Sequence, residues 1–133
     1  MRDISSILSA DLFTPFFTLY GALHVLGGVL IAFVPGIFDP VVVVPLGPGM
    51  APLLGFLSAL AGLGFMGAGR VEAPSHRRYV LVLAFIGNVA NFAAHAVNAL
   101  NGDEHSYMLW LTAAGCGSFA VAHVVLWWQL RRS

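Results

Sequence analysis

Apolar side chains fall along this chain in four long, nearly unbroken stretches, without the strict two-residue alternation of a half-buried strand. A window of about 19 residues, matched to a hydrocarbon core of about 30 Å at about 1.5 Å per residue, predicts membrane spans at Leu12–Val34, Met50–Ala68, Tyr79–Ala99 and Tyr107–Trp128. Together they take 85 of the 133 residues and leave only short loops and tails. The pattern predicts one all-α membrane domain, an up-down-up-down bundle of four transmembrane helices. Any chemistry then lies inside the bundle or at its mouths.

The segments between the spans carry the turn chemistry this reading needs. Pro35, Pro40, Pro45, Pro48, Pro52 and Pro74 lie outside span interiors or in first turns, and Pro15 sits near the start of span one, so no helix centre is expected to kink. Val41–Val44 is a β-branched run held between two prolines; it is expected to be extended, either dipping into the interface as a lid or facing a second protein. Residues 1–11 place Ile4, Ile7 and Leu8 at i, i+3, i+4, the spacing of a short interfacial helix. A signal peptide is the competing reading of this end. The 23-residue apolar run exceeds a signal core, and no small-residue cleavage site precedes Pro35-Gly36.

Composition narrows the function classes. The chain is 59% apolar and 9% charged with a mean hydropathy of +0.86, against about 25% charged residues in soluble domains. A soluble enzyme, a nucleic-acid binder and a disordered tail are excluded. The formal net charge is zero and no basic cluster exceeds three arginines, so neither a phosphate backbone nor an anionic lipid surface is an evident target. The single cysteine allows no internal disulfide.

Charge placement predicts orientation. All six basic residues are arginines, and with the four spans they fall on one side: Arg2, then Arg70, Arg77 and Arg78, then Arg131 and Arg132. The loops opposite hold Asp39, Asp103 and Glu104 and no arginine. The positive-inside rule then puts both termini in the cytoplasm, with a bacterial inner membrane as the expected location.

Polar residues inside a span are costly and are expected to turn inward. Asn88, Asn91, His95 and Asn98 recur at intervals of 3, 4 and 3 along span three, which reads as one helix face. Span four repeats the theme with Thr112, Cys116, Phe119 and His123, and span one offers Tyr20 and His24 one turn apart. Span two carries Ser58 and a small-residue face of Gly55, Ala59 and Gly62 that admits a neighbouring backbone. Depth counted at about 1.5 Å per residue groups His24, Asn91, Cys116 and Ser58 near the midplane, with Tyr20, Asn88 and His123 in a tier below and His95 above near Thr112.

The most specific ligand this polar axis suggests is b-type haem (haem b) held by His24 and His95, the two histidines closest in depth, with Gly27, Gly28, Gly87 and Ala94 leaving room for a flat macrocycle. Tyr20, Asn88, Asn91 and His123 complete the candidate ligand-binding set. A small apolar or amphipathic ligand, or a conduction path for protons or a small solute, fits the same lining; the spans hold no Asp, Glu, Lys or Arg to drive ion-coupled transport. A competing reading gives the stripe a purely adhesive role in an accessory or assembly subunit of a larger membrane complex or a homo-oligomer, with Trp110, Trp127 and Trp128 at the interface. Cys116 reads as a packing residue, and His76 and His105 as solvated. No carboxylate pair, activated nucleophile, metal-ligand box or phosphate loop points to an enzyme.

Four spans, a turn-rich outer loop and the stretch HAVNALNGDEHSYMLWLTAAGCG joining spans three and four resemble the small DoxX-type inner-membrane proteins. The resemblance covers the topology of the whole chain but only its last two spans in sequence. It implies membrane residence and a possible partnership with redox enzymes. The chain lacks the family's acidic residue in span two and the Ser-x-Asp ending after span four, so no functional residue is carried over.

Overall fold

A computed structural model describes residues 11–34, 36, 49–102 and 106–132. Four helices account for most of them: α1 (Phe13–Phe33), α2 (Met50–Ala68), α3 (Pro74–Leu100) and α4 (Ser106–Arg132). All four are long and apolar enough to cross a membrane, and no strand occurs among the described residues. The interfacial segment before Asp11, the Val41–Val44 run, Asp39 and the Asp103–His105 loop lie outside the described residues.

Local chemistry sets the ends. Asp11 Oδ1 accepts the Phe13 amide at 3.0 Å, satisfying one of the donors that a helix start leaves open. α3 begins at Pro74 and not at the expected Tyr79: proline fits the first helical position, where its missing N–H costs nothing, and the extended Ala73 before it (φ −63°, ψ 119°) marks the boundary. An apolar window cannot see this first turn, because it carries Ser75, His76, Arg77 and Arg78. At the other end Gly102 takes a left-handed φ of 78°, which glycine adopts without a Cβ penalty and which stops α3.

The helices pair into two close hairpins, α1 with α2 and α3 with α4. Backbones meet in the first. A methyl group added at Gly55 would stand 2.5 Å from the Ala32 nitrogen and the Gly28 carbonyl, and one at Gly62 would stand 2.5 Å from the Gly21 carbonyl. Two glycines seven residues apart on α1 thus face two on α2, an antiparallel small-residue seam. In the second hairpin Phe92 fills the space over Gly117.

Side chains, not backbones, join the hairpins. Phe13, Phe17 and Tyr20 of α1, Leu81 and Ala84 of α3, and Leu126 of α4 form the buried core, flanked by Phe16, Phe65, Phe119 and Trp127. All six core residues sit in the half of the bundle that also carries Arg70, Arg77, Arg78 and Arg131. Polar clips close the same end: Thr14 Oγ1 donates to the Gly69 carbonyl at 2.7 Å, Arg77 meets Asp11 at 3.1 Å, and Arg78 Nη2 reaches the Leu130 carbonyl at 3.4 Å. These contacts put the starts of α1 and α3 beside the ends of α2 and α4. Outward, Leu19, Leu26, Phe56, Leu60, Ile86 and Val121 stand exposed, a surface that water would penalise and hydrocarbon accepts.

Arg77 does three jobs at this end. Its Nη1 pairs with Asp11, its Nε donates to the Val71 carbonyl at 2.7 Å, and its guanidinium lies 4.8 Å from the centroid of the Phe13 ring. Asp11 is largely exposed, so the ion pair alone contributes less than about 1 kcal/mol; the backbone bond and the ring contact add to it. Arg77→Ala is therefore expected to lower stability by about 1 to 2 kcal/mol and Asp11→Asn by clearly less, as measured by unfolding in bicelles. Equal losses would reduce Arg77 to its ion pair.

Candidate functional site

The polar residues that meet are Tyr20, Asn88 and His123, the tier that depth counting placed together. Asn88 is 5% exposed and uses both amide protons: Nδ2 donates to Tyr20 Oη at 2.7 Å and to the Ala84 carbonyl at 2.9 Å. The second acceptor fixes the amide orientation, since Oδ1 in that place would oppose a carbonyl. Tyr20 Oη is then the acceptor of the first bond. His123 packs edge-on to the rings of Phe16, Phe17 and Tyr20, with centroids 5.0, 5.8 and 5.6 Å away. Helices α1, α3 and α4 thus each place a polar group in one aromatic enclosure.

Two of the histidines share a local geometry. His24 Nδ1 lies 2.9 Å from the Tyr20 carbonyl, and His123 Nδ1 bonds the Phe119 carbonyl, each one turn back on its own helix. A carbonyl only accepts, so both Nδ1 atoms carry the proton and both Nε2 atoms keep their lone pair. His123 Nε2 is buried without a hydrogen-bond partner. The ring of His24 lies 4.4 Å from that of Tyr20 and 5.4 Å from that of Phe65, and Ser58 Oγ donates to the His24 carbonyl at 3.3 Å, so those two residues do share a depth.

The expected single stripe on α3 divides. Asn88 is buried and His95 half-buried, with His95 Nδ1 enclosed and unpartnered. Asn91 is exposed, a correction to its inward placement, and Asn98 Nδ2 bonds the Ala94 carbonyl of its own helix at 2.7 Å. The reason is angular: at about 100° per residue His95 falls about 20° from Asn88, but Asn91 falls about 60° away. α3 packs closely on one neighbour only, so its buried strip is narrow.

Room for a macrocycle is also differently placed. Gly28 is closed off by the backbone of Gly55 and Ala59, whereas Gly27 and Gly87 have open space. No ring contact joins His24 and His95 among the described residues. Cys116 is half-buried. No group of three or more His, Cys, Asp and Glu is placed to hold a metal among the described residues.

Beside this enclosure a groove of about 190 Å³ runs between α3 and α4, lined by Leu81, Val82, Phe85, His123, Val124 and Trp127. Sequence spacing does not reveal it, since its lining is ordinary apolar pattern except for His123. The enclosure and the groove share that one histidine. The enclosure brings neutral hydrogen-bonding groups and aromatic faces together, and among the described residues no charged side chain lines the groove.

No family model matches the chain, no curated protein matches it, and no solved structure matches it; its fold and its site rest on its own residues.

Proposed function

We propose that this small polytopic membrane protein binds a lipid-soluble, non-protein ligand where the two hairpins meet, at Tyr20, Asn88 and His123. One observation carries the reading: a histidine 1% exposed, deep among apolar helices, holds an acceptor that nothing among the described residues satisfies. Leaving a buried polar atom unpaired costs about 1 to 3 kcal/mol, and such atoms in native proteins commonly mark a partner that arrives from outside. Native mass spectrometry of the detergent-extracted protein is expected to show an adduct of small-molecule mass that is lost in His123→Phe. A bare chain mass under conditions that retain bound lipid overturns the reading.

Haem b is a coloured alternative to this proposal, which His24 and His95 would hold instead. His24 supports it through its free Nε2, oriented by the Nδ1 bond as an axial ligand needs. A Soret band abolished by His24→Ala and by His95→Ala would assign the pair to iron; the apolar-ligand version expects a colourless protein.

Asn91 favours a second reading, in which the chain also docks on another membrane protein or on its own copy. Its amide faces outward with no hydrogen-bond partner among the described residues, beside exposed Gly87, Ala90 and Ala94. Hydrocarbon cannot satisfy an amide, whereas a facing helix can. Native mass is expected to show an assembly larger than one chain, and Asn91→Leu to shift it towards the monomer. A monomer in both proteins removes this reading.

A further inference from the structure

We infer that the α3–α4 groove seats one anionic phospholipid, with an acyl chain lying in the groove and the phosphate held at its end by Arg78 and Arg131. This site is separate from the enclosure of Tyr20, Asn88 and His123 and does not rest on a ligand there. Leu81 and His123 are buried at the groove floor, Val82, Phe85 and Val124 stand exposed along its sides, and the groove presents no polar surface. Such a trough accepts hydrocarbon and penalises any polar group. Its volume of about 190 Å³ is below the roughly 300 to 1,000 Å³ of pockets that engulf a drug-sized ligand, and its exposed sides face the lipid chains of a bilayer. One acyl chain fits lengthwise and leaves the rest of its lipid outside. From Phe85 to Arg78 helix α3 advances about 10 Å, so a chain that reaches Phe85 carries its headgroup to the arginines.

The end of the groove selects the headgroup. Arg78, one turn before Leu81 and Val82 on α3, reaches across to the Leu130 carbonyl of α4 at 3.4 Å, and the next residue, Arg131, places its guanidinium over the Trp127 ring, 5.5 Å from the centroid. Trp127 lines the groove, so both cations stand at one mouth. Both are exposed, Asp11 is taken by Arg77, and among the described residues no carboxylate pairs with Arg78 or Arg131. Two guanidinium groups drawn to one place repel each other until an anion joins them. A phosphate does so with oxygens that match the N–H fork, and a guanidinium lying over an aromatic ring keeps N–H groups for that purpose. A zwitterionic headgroup brings a cation of its own to the same mouth, so an anionic lipid is preferred. The two arginines are far apart in sequence, and only the packing of α3 on α4 makes them a pair.

The test is native mass spectrometry of the full chain in detergent, titrated with phosphatidylglycerol and with phosphatidylcholine of identical acyl chains and read as the fraction of protein carrying each lipid. Phosphatidylglycerol is expected to bind about tenfold more tightly, and Arg78→Gln and Arg131→Gln each to weaken it about fivefold. Arg70→Gln removes the same charge from the turn after α2 and is expected to leave both lipids unaffected. Val124→Trp fills the groove from its exposed side, keeps both arginines, and is expected to weaken both lipids. Equal binding of the two lipids by the unsubstituted chain overturns the phosphate assignment. Equal losses in Arg70→Gln, Arg78→Gln and Arg131→Gln overturn the site in favour of attraction to positive charge at large. Undiminished binding in Val124→Trp overturns the groove as the seat of the chain. The comparison of the two lipids needs no variant, so misfolding cannot obscure it. A ligand of the enclosure is judged by its own loss in His123→Phe, so either site can fail alone.

Discussion

Gly28→Leu is expected to break the α1–α2 hairpin, while Gly27→Leu, one residue away, is expected to be tolerated. Both glycines lie in mid-helix, where glycine is itself unfavourable by about 0.5 to 1 kcal/mol relative to alanine, so propensity alone would favour both substitutions. Space separates them. A Cβ at Gly28 would stand 2.5 Å from the Ala59 nitrogen and 3.0 Å from its Cα, with the Gly55 carbonyl closer still; at Gly27 it meets nothing within 4 Å. The obstacles at Gly28 are backbone atoms, which cannot rotate away as a side-chain tip can. Relief requires the helices to part, and parting them also opens the contacts at Gly21, Ala32 and Gly62.

Overpacking typically costs about 1 to 3 kcal/mol, and a whole leucine on a closed backbone seam is expected at or above the top of that range. Gly27→Leu is expected to change stability by no more than about 0.5 kcal/mol. Denaturant unfolding in bicelles, followed by helical circular dichroism, reads both. If the Gly28 variant unfolds like the parent protein, the register that opposes Gly28 to Gly55 is wrong.

The contrast between neighbouring glycines also shows what the sequence carries and what it hides. Span existence was legible because hydrocarbon thickness imposes a length that four apolar runs meet, and α2 falls at the expected Met50–Ala68. The small face of α2 was visible for the same reason. Its partner was harder to find, since Gly27 and Gly28 look equivalent in a string of letters and only the facing of α1 on α2 separates them; the repeat of Gly-x₆-Gly at 21/28 and 55/62 was the available signal.

The α3 stripe failed in a related way. A 3-4-3 spacing fixes one side of a helix to within a sector, and the width of the buried sector depends on how many helices pack there. With one close neighbour, Asn88 falls inside and Asn91 outside. Depth proved more informative than face, because it needs only the rise per residue. It brought Tyr20, Asn88 and His123 to one level before any packing was known.

That level holds the second large effect, a non-additive loss in the pair Tyr20→Phe and Asn88→Leu. Their hydrogen bond crosses from the first hairpin to the second within the buried core, where backbone contact between the hairpins is sparse. Tyr20→Phe leaves one Asn88 proton without an acceptor, while the other stays on Ala84. Asn88→Leu leaves the Tyr20 hydroxyl among apolar neighbours and removes the bond. Each single change is expected to cost about 1 to 2 kcal/mol. The double variant strands no polar atom on either side, so it should cost less than the sum of the two. The difference, expected near 1 kcal/mol, is the coupling that a double-mutant cycle measures. It exceeds the average of about 0.6 kcal/mol for hydrogen bonds between membrane helices, because the aromatic rings of Phe16, Phe17 and Phe119 offer no replacement for the lost bond, while the Ala84 carbonyl already holds the other Asn88 proton. Strict additivity would mean that Tyr20 and Asn88 are adjacent but unbonded, which would leave the apolar core and the Arg77–Asp11 clip to hold the hairpins together.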